Sequence, residues 1–196
     1  ATKKENMAKA KKLLDEGGSN YVLQWFNKSI DETSTVDVAA GIIMLDRYQK
    51  IGDMANALEI AYKLREMATI SGQTVQIFSI LGRFTPEMML VYTQHELDKA
   101  YETIIKGKTN KWIESNRSKF ELTEAEKEFI IRNTLVAATL PEGRDKQIKL
   151  AEIASLVQKK IPHKPGDAYK ALQRISMLLN PKTNDRNVVG NVIMTP

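Results

Sequence analysis

Apolar side chains recur along this chain at intervals of three and four residues, and no stretch of useful length alternates in the two-residue period of a strand. That pattern commits the chain to helices packed on helices, since a helical stripe can bury itself only against another element. The expected fold is all-α, a bundle of about nine helices in 196 residues.

Local signals divide the chain. A helix over Asn6 to Leu14 ends at Gly17-Gly18, because glycine accepts the left-handed geometry past a helix end. Ser19 or Asn20 caps the next helix, which carries Tyr21, Trp25 and Phe26 on a bulky face. The Thr33-Ser34-Thr35 cluster precedes a third helix with Val36, Ala39, Ala40, Ile43 and Arg47 in register. Gly52-Asp53 breaks it, and Asp53 caps a fourth with Met54, Ala57, Leu58, Ala61, Leu64 and Ala68 on one stripe. So short a link makes these two helices an antiparallel hairpin. No second copy follows at the roughly 34-residue period of a tetratricopeptide array, so this is an ordinary hairpin.

Downstream, Thr85-Pro86-Glu87 opens a helix with cap, N1 proline and acidic first turn, and its face runs through Leu90, Leu97, Tyr101 and Ile104. A short polar helix over Lys111 to Ser118 is anchored by Trp112 and Ile113. Thr123-Glu124-Ala125-Glu126 forms a capping box for a helix with Leu122, Ala125, Phe129 and Val136 inward. After Pro141-Glu142-Gly143 comes a helix with Leu150, Ile153, Val157 and Ile161 on one side. A last one begins at Gly166-Asp167 and stops at Asn180, since Pro181 disfavours helical geometry there. Two sub-bundles are expected, 1–106 and 107–196, meeting near Gly107 to Asn110.

Composition removes several chemistries. There is no Cys, which excludes disulfides, thiol catalysis and Cys-based metal sites. The two His, His95 and His163, lie far apart and leave no material for a histidine cluster. No phosphate-binding glycine loop of the usual patterns occurs. The longest apolar run, Val38 to Leu45, is far short of the about twenty residues a bilayer span needs. Glu124, Glu126 and Glu128 sit in the first turns of a helix, where carboxylates favour the dipole without any acid–base role. An enzyme would have to gather Glu126 and Glu128 with Arg132 or His95, the least favoured arrangement. No metal and no cofactor is therefore expected.

The charge is uneven. Residues 1–98 carry 11 Lys and Arg against 13 Asp and Glu, whereas residues 99–196 carry 18 against 11. A basic half is either a solvated surface or a polyanion-binding one. The cations singled out for phosphate contact are Lys159, Lys160, Lys164, Lys182 and Arg186. The run Lys106-Gly-Lys108-Thr-Asn-Lys111-Trp112 also mixes cations with an aromatic, as single-strand-binding surfaces do, though one aromatic is a weak signal.

The run Met177-Leu-Leu-Asn-Pro-Lys-Thr-Asn-Asp-Arg-Asn-Val-Val-Gly-Asn191 resembles a segment of the large multidomain, polyvalent proteins of bacterial phages and conjugative elements. The stretches Leu81-Gly-Arg83-Phe-Thr-Pro86-Glu and Leu122-Thr-Glu-Ala-Glu-Lys-Glu-Phe129 are similar too, and the likeness covers about residues 72–191 in order. Asn184-Asp185 departs from the pattern, which has one polar and one apolar residue there. The resemblance implies a helical module of a longer polypeptide, consistent with ends that read as cuts, in the bacterial cytoplasm or a phage particle. It implies no reaction. The expected role is a non-catalytic scaffold or interaction module for neighbouring modules or another protein. The alternative is sequence-nonspecific binding of DNA through the basic half.

Overall fold

The computed structural model describes residues 3–70 and 79–161, with no account of the side chains of Thr69 and Ile70. Among the described residues every regular element is helical, and no strand occurs. The α-helices are α1 (Lys3–Asn27), α2 (Thr35–Lys50), α3 (Met54–Ile70), α4 (Pro86–Ile105), α5 (Asn110–Asn116), α6 (Glu124–Thr139) and α7 (Arg144–Lys160). Short 3-10 turns fill Ile30–Glu32 and Arg117–Phe120. The chain divides into two compact units, Ala1–Ile80 and Leu81–Pro196. The boundary thus falls earlier than the expected 106/107, because α4 packs on α6 and α7 and so belongs to the second unit.

In the first unit α1 and α3 both pack on α2. The expected break at Gly17-Gly18 is a kink inside α1: Gly18 takes φ 51° and ψ −136°, a backbone state open to glycine. Beyond it, Trp25 is buried at 1% exposure, stacks edge-on against Phe26 at 5.2 Å, and donates its indole N–H to the Asp37 carbonyl at 2.8 Å. Gly41 admits this ring: a Cβ there would fall 2.6 Å from Trp25 Cζ2 and 2.7 Å from Leu64 Cδ2. The α2 stripe is Ala39, Ala40, Met44 and Leu45, while Ile43 is half-buried and Arg47 is exposed, paired with Asp15 at 2.7 Å. Asp53 caps α3 through the Asn56 N–H at 3.1 Å, and Ala57, Ile60, Ala61, Leu64, Met67 and Ala68 are buried below it.

The C-terminal end of α1 and the start of α2 share one polar cluster. Ser34 and Asp37 form a capping box, and the Asp37 carboxylate also accepts from the Lys28 ammonium at 2.8 Å. Burial works to raise the Asp37 carboxyl, but the hydrogen bonds from Lys28 and Ser34 and the Lys28 charge outweigh it and hold it below its ordinary range. The Tyr21 hydroxyl is buried, and burial first, then its interaction with the Asp37 carboxylate, raises it above the usual phenol value.

In the second unit α4 lies against α6, and α6 and α7 form a hairpin across Leu140 to Gly143. The Thr85 hydroxyl accepts from the Met88 N–H at 3.2 Å, with Pro86 opening the helix. The buried face of α4 is Met88, Met89, Tyr92, Thr93, Glu96, Leu97 and Ala100, with Leu90 only half-buried. On α7, Leu150, Ile153, Val157 and Ile161 are all buried. The α6 stripe differs from the expected one: Ile130, Asn133, Thr134 and Ala137 are buried, whereas Ala125 and Val136 are exposed. Asn133 and Thr134 turn their polar atoms back onto the carbonyls of Phe129 and Ile130, at 3.0 and 2.8 Å, and so enter the core already satisfied.

Candidate nucleic-acid interface

Of the five cations singled out from the sequence, two fall on described residues. Lys159 is exposed and forms no ion pair among them. Lys160 is committed elsewhere: its ammonium binds both oxygens of Glu126, at 2.7 and 2.9 Å, with its side chain only 13% exposed. Glu126 also receives the Thr123 N–H at 2.8 Å and the Thr123 hydroxyl at 2.9 Å. Burial would raise this carboxyl, but the Lys160 and Thr123 hydrogen bonds prevail and lower it. A phosphate would have to compete for Lys160 with a carboxylate already in place. Lys164, Lys182 and Arg186 lie outside the described residues.

A denser group of cations lies between α4 and α6. Lys106, Lys108, Lys111, Arg117 and Lys119 are all exposed within a span that contains one acid, Glu114. Lys106, Lys108 and Lys111 form no ion pair among the described residues. Arg117 reaches Glu121 only at 3.9 Å, between two largely exposed side chains, a pair of little energetic weight. Lys119 donates to the Asn116 side-chain oxygen at 2.7 Å.

The segment bearing these charges is pinned from beneath. Phe120 is buried at 2% and its ring meets that of Tyr101 at 5.1 Å, while the Tyr101 hydroxyl donates to the Ile113 carbonyl at 3.2 Å. Gln94 grips the far end with both halves of its amide: its nitrogen donates to the Phe120 carbonyl at 3.0 Å and its oxygen accepts from the Leu122 N–H at 3.2 Å. Phe120, not Trp112 or Ile113, is therefore the chief anchor, and both of those are half-buried. Trp112 lies on the basic side with the Lys108 ammonium 5.4 Å from its ring centre. The sequence pointed to Lys106 through Trp112 but not to Arg117 and Lys119, whose membership depends on the turn into the 3-10 segment.

Two of the other charged groups named from the sequence make local contacts. Glu124 pairs with Lys127 at 2.7 Å, and the Arg132 guanidinium lies 6.0 Å from the Phe129 ring centre. No group of three His, Asp or Glu side chains that would hold a metal ion occurs among the described residues, and no helix among them is long and apolar enough to cross a membrane. In the first unit an apolar pocket of about 350 Å³ opens among Met7, Val38, Ala39, Ile42 and Ile80, and Lys3 is the one charged side chain in its lining. Comparisons with protein-family models, curated proteins and solved structures find no match to this chain.

Proposed function

We propose that the chain is a non-catalytic helical interaction module of a large phage or mobile-element polypeptide, and that its second unit contacts the phosphate backbone of a nucleic acid. The observation that carries this reading is the exposed group Lys106, Lys108, Lys111, Arg117 and Lys119, set on one pinned segment with a single acid among them. Exposed cations held by no close carboxylate keep their charge for phosphates, and each neutralised phosphate releases condensed counterions. Such contacts position a protein on nucleic acid without reading sequence. Lys159 adds to the same basic balance, whereas Lys160 does not, because Glu126 holds it.

The test is anisotropy of a labelled oligonucleotide titrated with the whole chain at several salt concentrations. Affinity should fall on a log–log line, losing roughly 0.7 to 0.9 in slope for each phosphate engaged. Lys106→Glu with Lys111→Glu should weaken binding at least tenfold and flatten the slope, while Lys160→Gln should leave the slope unchanged. Absence of binding at low salt would leave these cations as a solvated face and favour a protein partner instead.

A further inference from the structure

The chain has two tryptophans, and they are used in opposite ways. Trp25 is enclosed, with its N–H bonded to the Asp37 carbonyl and Phe26 packed against it. Trp112 is half-exposed, its N–H bonds no group among the described residues, and no aromatic ring among them packs on it. What lies over its ring is the ammonium of Lys108, at 5.4 Å, on an exposed side chain. A long solvated lysine at an exposed site is an easily displaced cover.

We propose that this surface takes single-stranded rather than duplex nucleic acid, with one unpaired base stacked on the Trp112 indole and Lys108 moving from the ring to an adjoining phosphate. The inference rests on the phosphate-contact reading above and specifies its ligand. A flat π-face among cations complements an unstacked base, and base–aromatic stacking is indifferent to base identity. A duplex hides its base faces within the stack and offers this indole base edges, sugar and phosphate but no face to stack on. The reach of the site agrees: α5 is seven residues long, about 10 Å, so its flanking cations cover a few nucleotides of a strand.

The experiment compares labelled oligothymidylate with a blunt duplex of equal length, at matched salt, for the whole chain and for Trp112→Phe and Trp112→Ala. The expected result is a strand preference of at least tenfold, with quenching of tryptophan emission on binding. Trp112→Ala should lose about tenfold in strand affinity with little change in salt slope, because the charges remain. Trp112→Phe should keep most of the affinity, lose the quenching, and serve as the measure should the alanine variant lose its helical circular dichroism. Equal or tighter duplex binding, or strand binding indifferent to Trp112→Ala and without quenching, would overturn the stacking inference and leave the phosphate reading standing. Failure of both nucleic acids to bind would overturn the phosphate reading, and this inference with it.

Discussion

The ammonium of Lys63 donates to the Trp25 carbonyl at 2.6 Å and at the same time lies 5.1 Å from the centre of the Trp25 ring. It also donates to the carbonyls of Phe26 and Lys28, both at 2.7 Å, so one side chain from α3 closes the C-terminal end of α1. The last carbonyls of a helix have no partner within it, and the helix dipole favours a cation there. Desolvation lowers the Lys63 amine below its ordinary value, with the neighbouring Glu66 and Asp37 charges opposing. Lys63→Met keeps the stem and removes three donors, and it should cost about 2 kcal/mol. The check is a lower urea midpoint at unchanged m-value.

Gly41 is required for close approach. Gly41→Ala should destabilise the chain by about 1 to 3 kcal/mol, since the methyl would have to displace both Trp25 and Leu64. Tryptophan emission should shift to the red as Trp25 is pushed toward water. Gly41→Ala at wild-type stability would show that α2 can move away from α3 at little cost.

The register of α6 separates two outcomes sharply. Ile130→Ala removes a fully buried side chain and should cost about 2 to 5 kcal/mol. Leu135→Ser, at a position 53% exposed, should change stability by less than about 0.5 kcal/mol. Thermal unfolding of the two variants side by side tests the observed stripe, and the reverse order of costs would contradict it.

Asp37 and Glu126 are expected to make stability depend on acid pH. Each titrates below its ordinary carboxylate value, so the native state binds fewer protons than the unfolded one as pH falls. Their contribution is complete above the unfolded value, about 4, and is lost as pH drops through the folded values. Stability measured from about pH 6 to about pH 3 should decline in both units, and Asp37→Asn together with Glu126→Gln should flatten that decline.

The helical class, the α2–α3 hairpin and the caps at Asp53, Thr85 and Thr123 were legible because each depends on residues within one turn of one another. The inward face of α6 was not. Asn133 and Thr134 were not among the expected inward residues, yet their own helix supplies the hydrogen bonds that allow them inside, and Val136 is left out. At the candidate interface, the cations of 106–111 announce themselves by proximity. The withdrawal of Lys160 depends on Glu126, 34 residues away, and only the antiparallel return of α7 onto α6 brings the two together.

The Gln94 amide has a consequence for how the second unit tolerates change. By holding the Phe120 carbonyl and the Leu122 N–H from α4, it fastens the end of the basic segment to that helix. Between Ile105 and Phe120 the chain is moored at its middle, where the Tyr101 hydroxyl meets the Ile113 carbonyl, and at its end, where Phe120 is buried, while its cations face water. The sign of those exposed charges can therefore change at little cost in stability as long as Tyr101, Phe120 and Gln94 are kept.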